Sequence, residues 1–453
     1  MTHLVQSPTR QRRISQKHYW ALLCLLAGGL LDGLTNMYLG WAWPIWLAPV
    51  FYLRSFDYLG HKRAFWAVGL VGIISGIISV ALTLPMLLAE VLITVPIMSF
   101  LASGIYWSYH KLSDRIPGFQ ATLLLPVFAT LLDYLFSWIN PFGSITSGAY
   151  YQHSLLPLTQ LVSLTGIWGI TFLVSWFAAT VHYIWKDNLY HHLREWAVAW
   201  PFLLILSAVL LYGEMRLSQP TGVKPVLIVA GVTAPRETWV GQISVALSDN
   251  SLNTPDQLAH FQQSSEQLYD HFQQATQQAQ AQGAQLVVWN ESAIPVLVSD
   301  LEKLKSRLTE LSQELNIYLA ATTWVVGQPL REPGDPPNGH NRLLLYNPSG
   351  ELLLEYDKHI LVPGNEVAAG IPGMGEVKAI ETSLGKLSGL ICYDVDFPNY
   401  VRAVGQQDIE LLIVPGADSQ EITPFHTYQS YFRAIENGCS LVRIATGGLS
   451  GVV

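Results

Sequence analysis

Three short motifs follow one another in the second half of this 453-residue chain: Trp289-Asn290-Glu291-Ser292-Ala293-Ile294-Pro295, then Tyr356-Asp357-Lys358-His359, then Leu390-Ile391-Cys392-Tyr393-Asp394. They supply a carboxylate, an amine and a thiol, each beside an apolar, β-rich run. Those are the parts of an acyl-transfer centre. Glu291 would take the proton of the Cys392 thiol as general base and return it to the leaving group as general acid. Lys358, with the backbone N–H after the nucleophile, would stabilise the oxyanion of the tetrahedral intermediate. A thioester forms on Cys392, and a second nucleophile resolves it. Taken singly, a Cys at a strand end is most often a packing residue and a loop Glu or Lys a solvated charge. The joint set, in this order, carries the chemistry, and it calls for no metal and no cofactor.

The surrounding elements must bring the three groups together. Lys224–Ala230, Ala284–Trp289, Tyr318–Val326, Lys386–Cys392, Leu411–Val414 and Leu441–Ala445 are short apolar runs that read as buried strands. Asn347-Pro348-Ser349-Gly350 joins Arg342–Tyr346 to Glu351–Tyr356 as a hairpin. Gln257–Gln282, Leu301–Asn316, Tyr400–Gln406 and Tyr428–Asn437 read as helices, and the Pro/Gly-rich Arg331–His340 as a loop. The mixture predicts a layered α/β domain. Glu291 and Cys392 then lie just past the C-terminal ends of buried strands and Lys358 just past a hairpin strand, where sites in such sheets collect. A helix following Cys392, together with a nearby ammonium, would favour the thiolate.

Composition sets the first half apart. Mean hydropathy is +0.29, and charged residues make up 13% of the chain, against about 25% in an average soluble protein. Residues 1–219 hold 12 Lys/Arg and 8 Asp/Glu, whereas residues 220–453 hold 13 and 25. The acidic second half has no basic stripe, which excludes nucleic acid as an expected partner. Cys24, Cys392 and Cys439 make no disulfide framework. Apolar stretches recur at Tyr19–Leu34, Trp41–Leu53, Ala64–Leu84, Met86–Trp107, Phe119–Trp138, Thr165–Trp185 and Trp196–Tyr212, close to the roughly 17–25 residues of a spanning helix, apart from the short second run with Pro44 and Pro49. With the N-terminus cytoplasmic and seven crossings, eleven Lys/Arg fall inside and none in the outside loops near 35–40, 85 and 139–164. The inside set is Arg10, Arg12, Arg13, Lys17, Arg54, Lys62, Arg63, Lys111, Arg115, Lys186 and Arg194. The positive-inside rule thus places residue 214 onward outside the cytoplasm. Asp133, mid-span, and Asp32 and Glu90, nearer span ends, are either functional carboxylates or groups bonded to a neighbouring helix.

At the three motifs the sequence resembles the nitrilase (carbon–nitrogen hydrolase) superfamily, and with its apolar first half it is similar to the apolipoprotein N-acyltransferase family. Further stretches share the likeness: Pro157–Leu161, Gly166–Phe172, Leu361-Val362-Pro363 with Glu366, and Arg433–Gly438. The resemblance implies that a phospholipid acylates Cys392 and that the chain then passes to the α-amino group of a diacylglyceryl-cysteine of a lipoprotein. It also implies substrate-binding roles for Trp239, Glu366, Tyr393 and Asp394. The sequence departs from the family pattern at Asn290 (family Pro), Asp394 (Glu), Gly364-Asn365 (Phe-Gly), Gly416-Ala417-Asp418-Ser419 (Asn-Asp-x-Trp) and Phe136 (Arg).

The fold expected is a basic tail (residues 1–18), a multi-span α-helical membrane domain (19–213) and a nitrilase-type αββα sandwich (220–453), the last lacking the family's final strands and helix. The location expected is the bacterial inner membrane, with the catalytic domain on the periplasmic side and a bilayer, a phospholipid and a lipoprotein as partners. Two alternatives stay open: a membrane-anchored amidase, in which water resolves the thioester, and an inactive relative.

Overall fold

The computed structural model describes residues 8–36, 39–83, 88–186, 197–219, 227–247, 252, 254–327, 338–419 and 422–453, excepting the side chains of 8–15, 80–83, 88–90 and 365. The side chains of Arg10, Arg12, Arg13 and Glu90, the residues Arg194 and Lys224–Val226, and most of the 331–340 loop therefore lie outside the described residues. The chain divides into two compact units, residues 1–139 with 146–219, and residues 140–145 with 220–453.

All seven apolar runs of the first unit are helical over most of their length. They form α1 (Pro8–Leu34), α2 (Pro44–Leu59), α3 (His61–Thr83), α4 (Leu88–Ser113), α5 (Phe119–Thr122) continued by α6 (Leu124–Ile139), then the short α7 (Leu156–Thr159) and α8 (Val162–Thr165), α9 (Trp168–Lys186) and α10 (Ala199–Leu217). Among the described residues four helices are long and apolar enough to cross a membrane, or five if the pair Leu156–Thr165 and Trp168–Lys186, bent by 118°, is one span. The expectation of seven meets two further helices: α1, which starts in the basic segment, and α2, which is 16 residues long and continues through Pro49. Apolar side chains on these helices face outward; Ile74, Ile93 and Leu204 are 62%, 62% and 68% exposed. A water-soluble monomer does not display apolar surface on that scale, so these faces suit lipid. Asp133 takes the local reading: it accepts hydrogen bonds from Ser147 Oγ and Thr171 Oγ1, both at 2.8 Å. Asp32 likewise accepts from Ser75 Oγ (2.7 Å) and Tyr52 OH (3.2 Å).

The second unit is the αββα sandwich. Its first sheet runs β1 (Val229–Val232), β2 (Leu286–Trp289), β4 (Tyr318–Val326), β5 (His340–Tyr346) and β6 (Leu352–Asp357), with β3 (Val296–Leu297) paired to β4. The β1, β2 and β4 strands are parallel, and the β4–β5–β6 meander is antiparallel. The second sheet runs β11 (Gly451–Val452), β10 (Ser440–Thr446), β9 (Leu411–Ala417), β8 (Gly385–Gly389) and β7 (Ile380–Thr382). Alternation along the strands builds the layers. Leu286, Val288, Ala320, Leu343 and Leu345 join the core shared with Leu387, Leu412 and Val442 of the second sheet. Their neighbours Val287, Trp289, Leu319, Ala321, Leu344 and Tyr346 face Leu268 and Phe272 of α12 (Pro255–Ala281) and Leu304 and Leu308 of α13 (Leu301–Leu315). Val401 of α15 (Pro398–Gln406) and Ala434 of α16 (Phe425–Asn437) cover the outer face of the second sheet. The short strands β3 and β7 had no sequence counterpart, nor did two helices: α11 (Arg236–Leu247), which carries Trp239, and α14 (Asn365–Ala369), which carries Glu366.

Phe272 is fully buried, and its ring lies 4.7 Å from that of Trp289, beside the strand that delivers Glu291. Truncating Phe272→Ala should cost roughly 3–5 kcal/mol, the usual range for an emptied aromatic site, seen as a lower urea midpoint for the full chain in detergent.

Candidate active site

Each of the three groups is set by a strand end. β2 stops at Trp289, and the chain turns through Glu291 and Ser292, the latter at φ 49°. Thr322 of β4 fixes this turn: its Oγ1 donates to Asn290 O and accepts from Ala293 N–H (3.0 Å). Lys358 follows β6; its backbone N–H donates to Asn341 O at 2.8 Å, and Gly373 N–H donates to Lys358 O at 2.8 Å. Cys392 corrects the strand reading of Lys386–Cys392. The strand ends at Gly389, and Cys392 opens a five-residue 3-10 turn at φ 46°, a left-handed backbone few non-glycine residues adopt. The helix expected from Tyr400 begins at Pro398, and the 3-10 turn separates it from the thiol, so Cys392 does not sit at an α-helix N-terminus. The Cys392 thiol instead sits on a constrained turn, held because Asp394 accepts from the Ile391 N–H (3.1 Å), the Ile360 N–H (2.8 Å) and Tyr356 OH (2.7 Å).

The side chains converge. Lys358, 1% exposed, donates from Nζ to Glu291 Oε1 at 2.8 Å and to Glu366 Oε2 at 2.8 Å. Asn341 Nδ2 donates to Glu291 Oε1 (2.7 Å) and Glu366 Oε1 (2.8 Å), binding the two carboxylates into one network. Burial alone would lower the Lys358 ammonium, but the charges of Glu291 and Glu366 outweigh it and hold the group well above its usual range. Cys392 moves the other way: burial, then the Glu291 charge, push its thiol well up, opposed by Lys358 and Arg443. Burial also raises Asp394 to about 6. Such surroundings favour the neutral thiol of Cys392.

The four residues expected to bind substrate are placed differently from one another. Glu366 lies on the ammonium. Trp239 is half-buried and donates from Nε1 to Ser292 O at 2.9 Å, bracing the Glu291 turn. Tyr393 is buried, and its OH donates to Pro141 O at 2.5 Å. Asp394 is fully buried and occupied by its three internal donors, so its place is inside the turn and not on an open pocket wall. Pro141 belongs to the segment Asn140–Ile145, which groups with the catalytic unit. Ser144 donates to Asp396 O through both N–H (2.9 Å) and Oγ (2.8 Å), and Gln429 Nε2 donates to Ile145 O at 3.0 Å. A six-residue stretch between the helices α6 and α7 thus clamps the turn behind the nucleophile.

Sequence reasoning missed Asn341 and a buried set formed by Asp418, His426 and Arg443. Cys392, Asp418 and His426 bring their donor atoms within 4.8 Å of one another, a metal-like spacing. Arg443 fills that role with its own charge: Nη2 donates to Asp418 Oδ1 at 2.7 Å and lies 2.9 Å from His426 Nδ1. A metal ion would have to displace the guanidinium. Asp418 is held down to about 2, the neighbouring Arg443 and His426 overcoming its burial. His426 is raised to about 9, the Asp396 and Asp418 charges overcoming its own burial.

With this geometry in view, the chain can be compared with known proteins. Residues 256–451, most of the second unit, match the carbon-nitrogen hydrolase family. The chain as a whole is similar to proteins named apolipoprotein N-acyltransferase. That of Geobacter metallireducens is 27% identical over 371 residues, 74% of this chain and 64% of the relative. That of Rickettsia prowazekii is 23% identical, covering 95% of this chain and 87% of the relative. The match spans just under two thirds of the Geobacter protein's length. Among solved structures, an amidase from Nesterenkonia sp. is 28% identical over 42% of this chain and 76% of its own, with a TM-score of 0.36.

Two outcomes follow from the site. A Cβ at Gly143, where φ is +57°, would lie 2.4 Å from Asp396 O. Gly143→Ala should therefore loosen the clamp on the nucleophile turn and lower the thermal midpoint, whereas Gly118→Ala, at a similar φ of +66° with open space around it, isolates the backbone cost alone. The second concerns pH. The folded-state value of His426 lies above its ordinary 6.5, so its stabilising contribution is complete below 6.5 and is lost as pH rises through about 9. His426→Gln should flatten the alkaline fall of the wild-type urea midpoint between pH 6.5 and 9.

Proposed function

We propose that this chain is a membrane acyltransferase, moving an acyl chain from a phospholipid to the α-amino group of a diacylglyceryl-cysteine of a lipoprotein through a thioester on Cys392. One observation carries the reading: the buried Glu291–Lys358–Glu366 network beside Cys392 belongs to a chain whose other half presents apolar helical faces suited to lipid. Similarity to relatives named apolipoprotein N-acyltransferase supports it.

Glu291 takes the thiol proton, and the Cys392 sulfur attacks the donor's ester carbonyl. An ammonium has three N–H groups; Lys358 directs them to Glu291 Oε1 and to both carboxylate oxygens of Glu366, the longest of the three contacts being 3.1 Å to Glu366 Oε1, and the N–H that gives up that longest contact turns, with the N–H of Tyr393, to the oxyanion. The carbonyl re-forms, the ester C–O bond breaks, and Glu291 returns the proton to the lysophospholipid alkoxide. The acceptor amine then attacks the thioester, Glu291 takes a proton from nitrogen, the C–S bond breaks and the thiolate recovers that proton. Trp239, Glu366 and Tyr393 shape the acyl and headgroup site, and Asp394 holds the nucleophile turn from within. No cofactor enters either half-reaction.

The proposed location is the bacterial inner membrane. Residues 19–213 cross it, a basic tail of residues 1–18 stays in the cytoplasm, and the catalytic domain of residues 220–453 lies on the periplasmic side. The eleven-to-none division of Lys and Arg supports that orientation. So does the grouping of Asn140–Ile145, from a loop assigned to the outside, with the catalytic unit.

The test supplies the purified full chain in detergent with phosphatidylethanolamine and a diacylglyceryl-cysteine peptide. The peptide should gain one acyl chain at its amino group, and Glu291→Gln should slow this by about 10²–10⁴-fold, the usual worth of a positioned acid–base group. Release of free fatty acid with no acylated peptide would instead make the chain a hydrolase. Neither product from folded protein would contradict both readings.

A further inference from the structure

The mechanism above leaves a buried cation unused. Arg443, on β10, is fully buried. Its Nη2 donates to Asp418, but Nε and Nη1 find no hydrogen-bond acceptor among the described residues. Leaving buried donors unpaired is costly, more so on a charged group, so the position calls for an anion. A neighbouring group able to become one is the Cys392 thiol. Its sulfur lies within 4.8 Å of donor atoms of both Asp418 and His426, and Asp418 Oδ1 is itself 2.7 Å from Arg443 Nη2. Gly416 makes the room: a Cβ there would sit 3.0 Å from Arg443 Nη2, while Gly416 O accepts from the Glu291 N–H at 3.3 Å. One residue of β9 thus borders both the guanidinium and the base.

The charges around the sulfur explain why a second cation is needed. Glu291, Asp418 and Lys358 act on Cys392 together with Arg443, and Glu366, Asp394, Asp396 and His426 stand behind them. Lys358 is shared between two carboxylates, so its pair has no net positive charge to offer a thiolate. His426 contacts Asp418 at 2.8 Å and Asp396 at 3.2 Å and is similarly compensated. Arg443 contacts one carboxylate and keeps two unspent N–H-bearing nitrogens.

We propose that Arg443 is the counter-ion of the Cys392 thiolate that forms when the proton passes to Glu291. The inference rests on Cys392 being the nucleophile of the proposed function, yet its test reads the thiol directly and does not require acyl transfer. Full-length protein in detergent is alkylated with iodoacetamide across pH 5–11, and modification of the Cys392 peptide is followed by mass spectrometry, separating it from Cys24 and Cys439.

Arg443→Gln should raise the Cys392 alkylation midpoint by at least one pH unit, a tenfold loss of thiolate at a given pH. It should also lower kcat for acyl transfer about 100-fold with little change in KM. Arg443→Lys should restore most of the midpoint. Asp418→Asn, which removes a negative charge near the sulfur, should move the midpoint down, opposite in sign to Arg443→Gln. If Arg443→Gln fails to fold, the Lys and Asp418→Asn variants carry the test. A midpoint unmoved by these substitutions, or moved in the same direction by Arg443→Gln and Asp418→Asn, would overturn the assignment and leave Arg443 a structural ion pair. Absence of acyl transfer by wild-type protein with the alkylation shifts intact would overturn the proposed function and leave the counter-ion standing.

Discussion

An ammonium group almost wholly removed from water has to be matched by anions in place, and the arrangement of the catalytic unit follows from satisfying Lys358. Losing one partner of a buried charge typically costs about 3–5 kcal/mol, so Glu291 and Glu366 cannot drift from it without penalty. Asn341 adds a neutral clamp that donates to both carboxylates. The β2 end, the β5–β6 meander and α14 must therefore meet at one point, and each supplies one part: Glu291 from the turn after β2, Asn341 from β5 with Lys358 just beyond β6, and Glu366 from α14. Two carboxylates around one ammonium leave the network negative. That favours a protonated thiol at Cys392.

The sandwich makes such a meeting possible. Strands buried on both faces put Leu286 and Val288 toward one layer and Val287 and Trp289 toward the other, so the ends of β2 and β8 are held rigidly from two sides. At those ends the regular backbone gives way to residues at positive φ, Ser292 and Cys392. Strain of that kind persists where surrounding contacts over-determine it. Here those contacts are named: Thr322 for the Glu291 turn, and Asp394 with the Asn140–Ile145 segment for the Cys392 turn. The polar set of Asp396, Asp418, His426 and Arg443 lies beneath the same turn, so the nucleophile rests on charged groups and not only on the apolar core.

Much of this was legible in the residues. Continuous apolar runs such as Tyr318–Val326 cannot be anything but buried, and the strand there has the expected bounds. Asn347–Gly350 marked the hairpin because its turn chemistry is local. The order of Glu291, Lys358 and Cys392 marked them as a candidate set, and the fold seats Lys358 on Glu291. What stayed hidden depends on distance in sequence. Asn341 is an ordinary strand residue until Glu291 and Glu366 are folded onto it. Arg443, inside an apolar strand, reads as an anomaly without Asp418 and His426, which are 25 and 17 residues away. Cys392 looked like the last residue of a strand because its neighbours are apolar; the left-handed turn that presents it has no side-chain signature. The Asn140–Ile145 segment was read with the helices around it, since nothing in its composition tells that it packs with residues some 250 positions later.

The account stands on covalent capture of an acyl group by one thiol. Incubating the full chain with phosphatidylethanolamine bearing an isotope-labelled acyl chain, in the absence of any acceptor, and mapping the adduct by mass spectrometry tests it most directly. The expected result is a single labelled acyl chain on the Cys392 peptide, released by neutral hydroxylamine as a thioester is, and absent from Cys392→Ala. A folded chain that takes up no label, or carries it on a residue other than Cys392, would contradict the account.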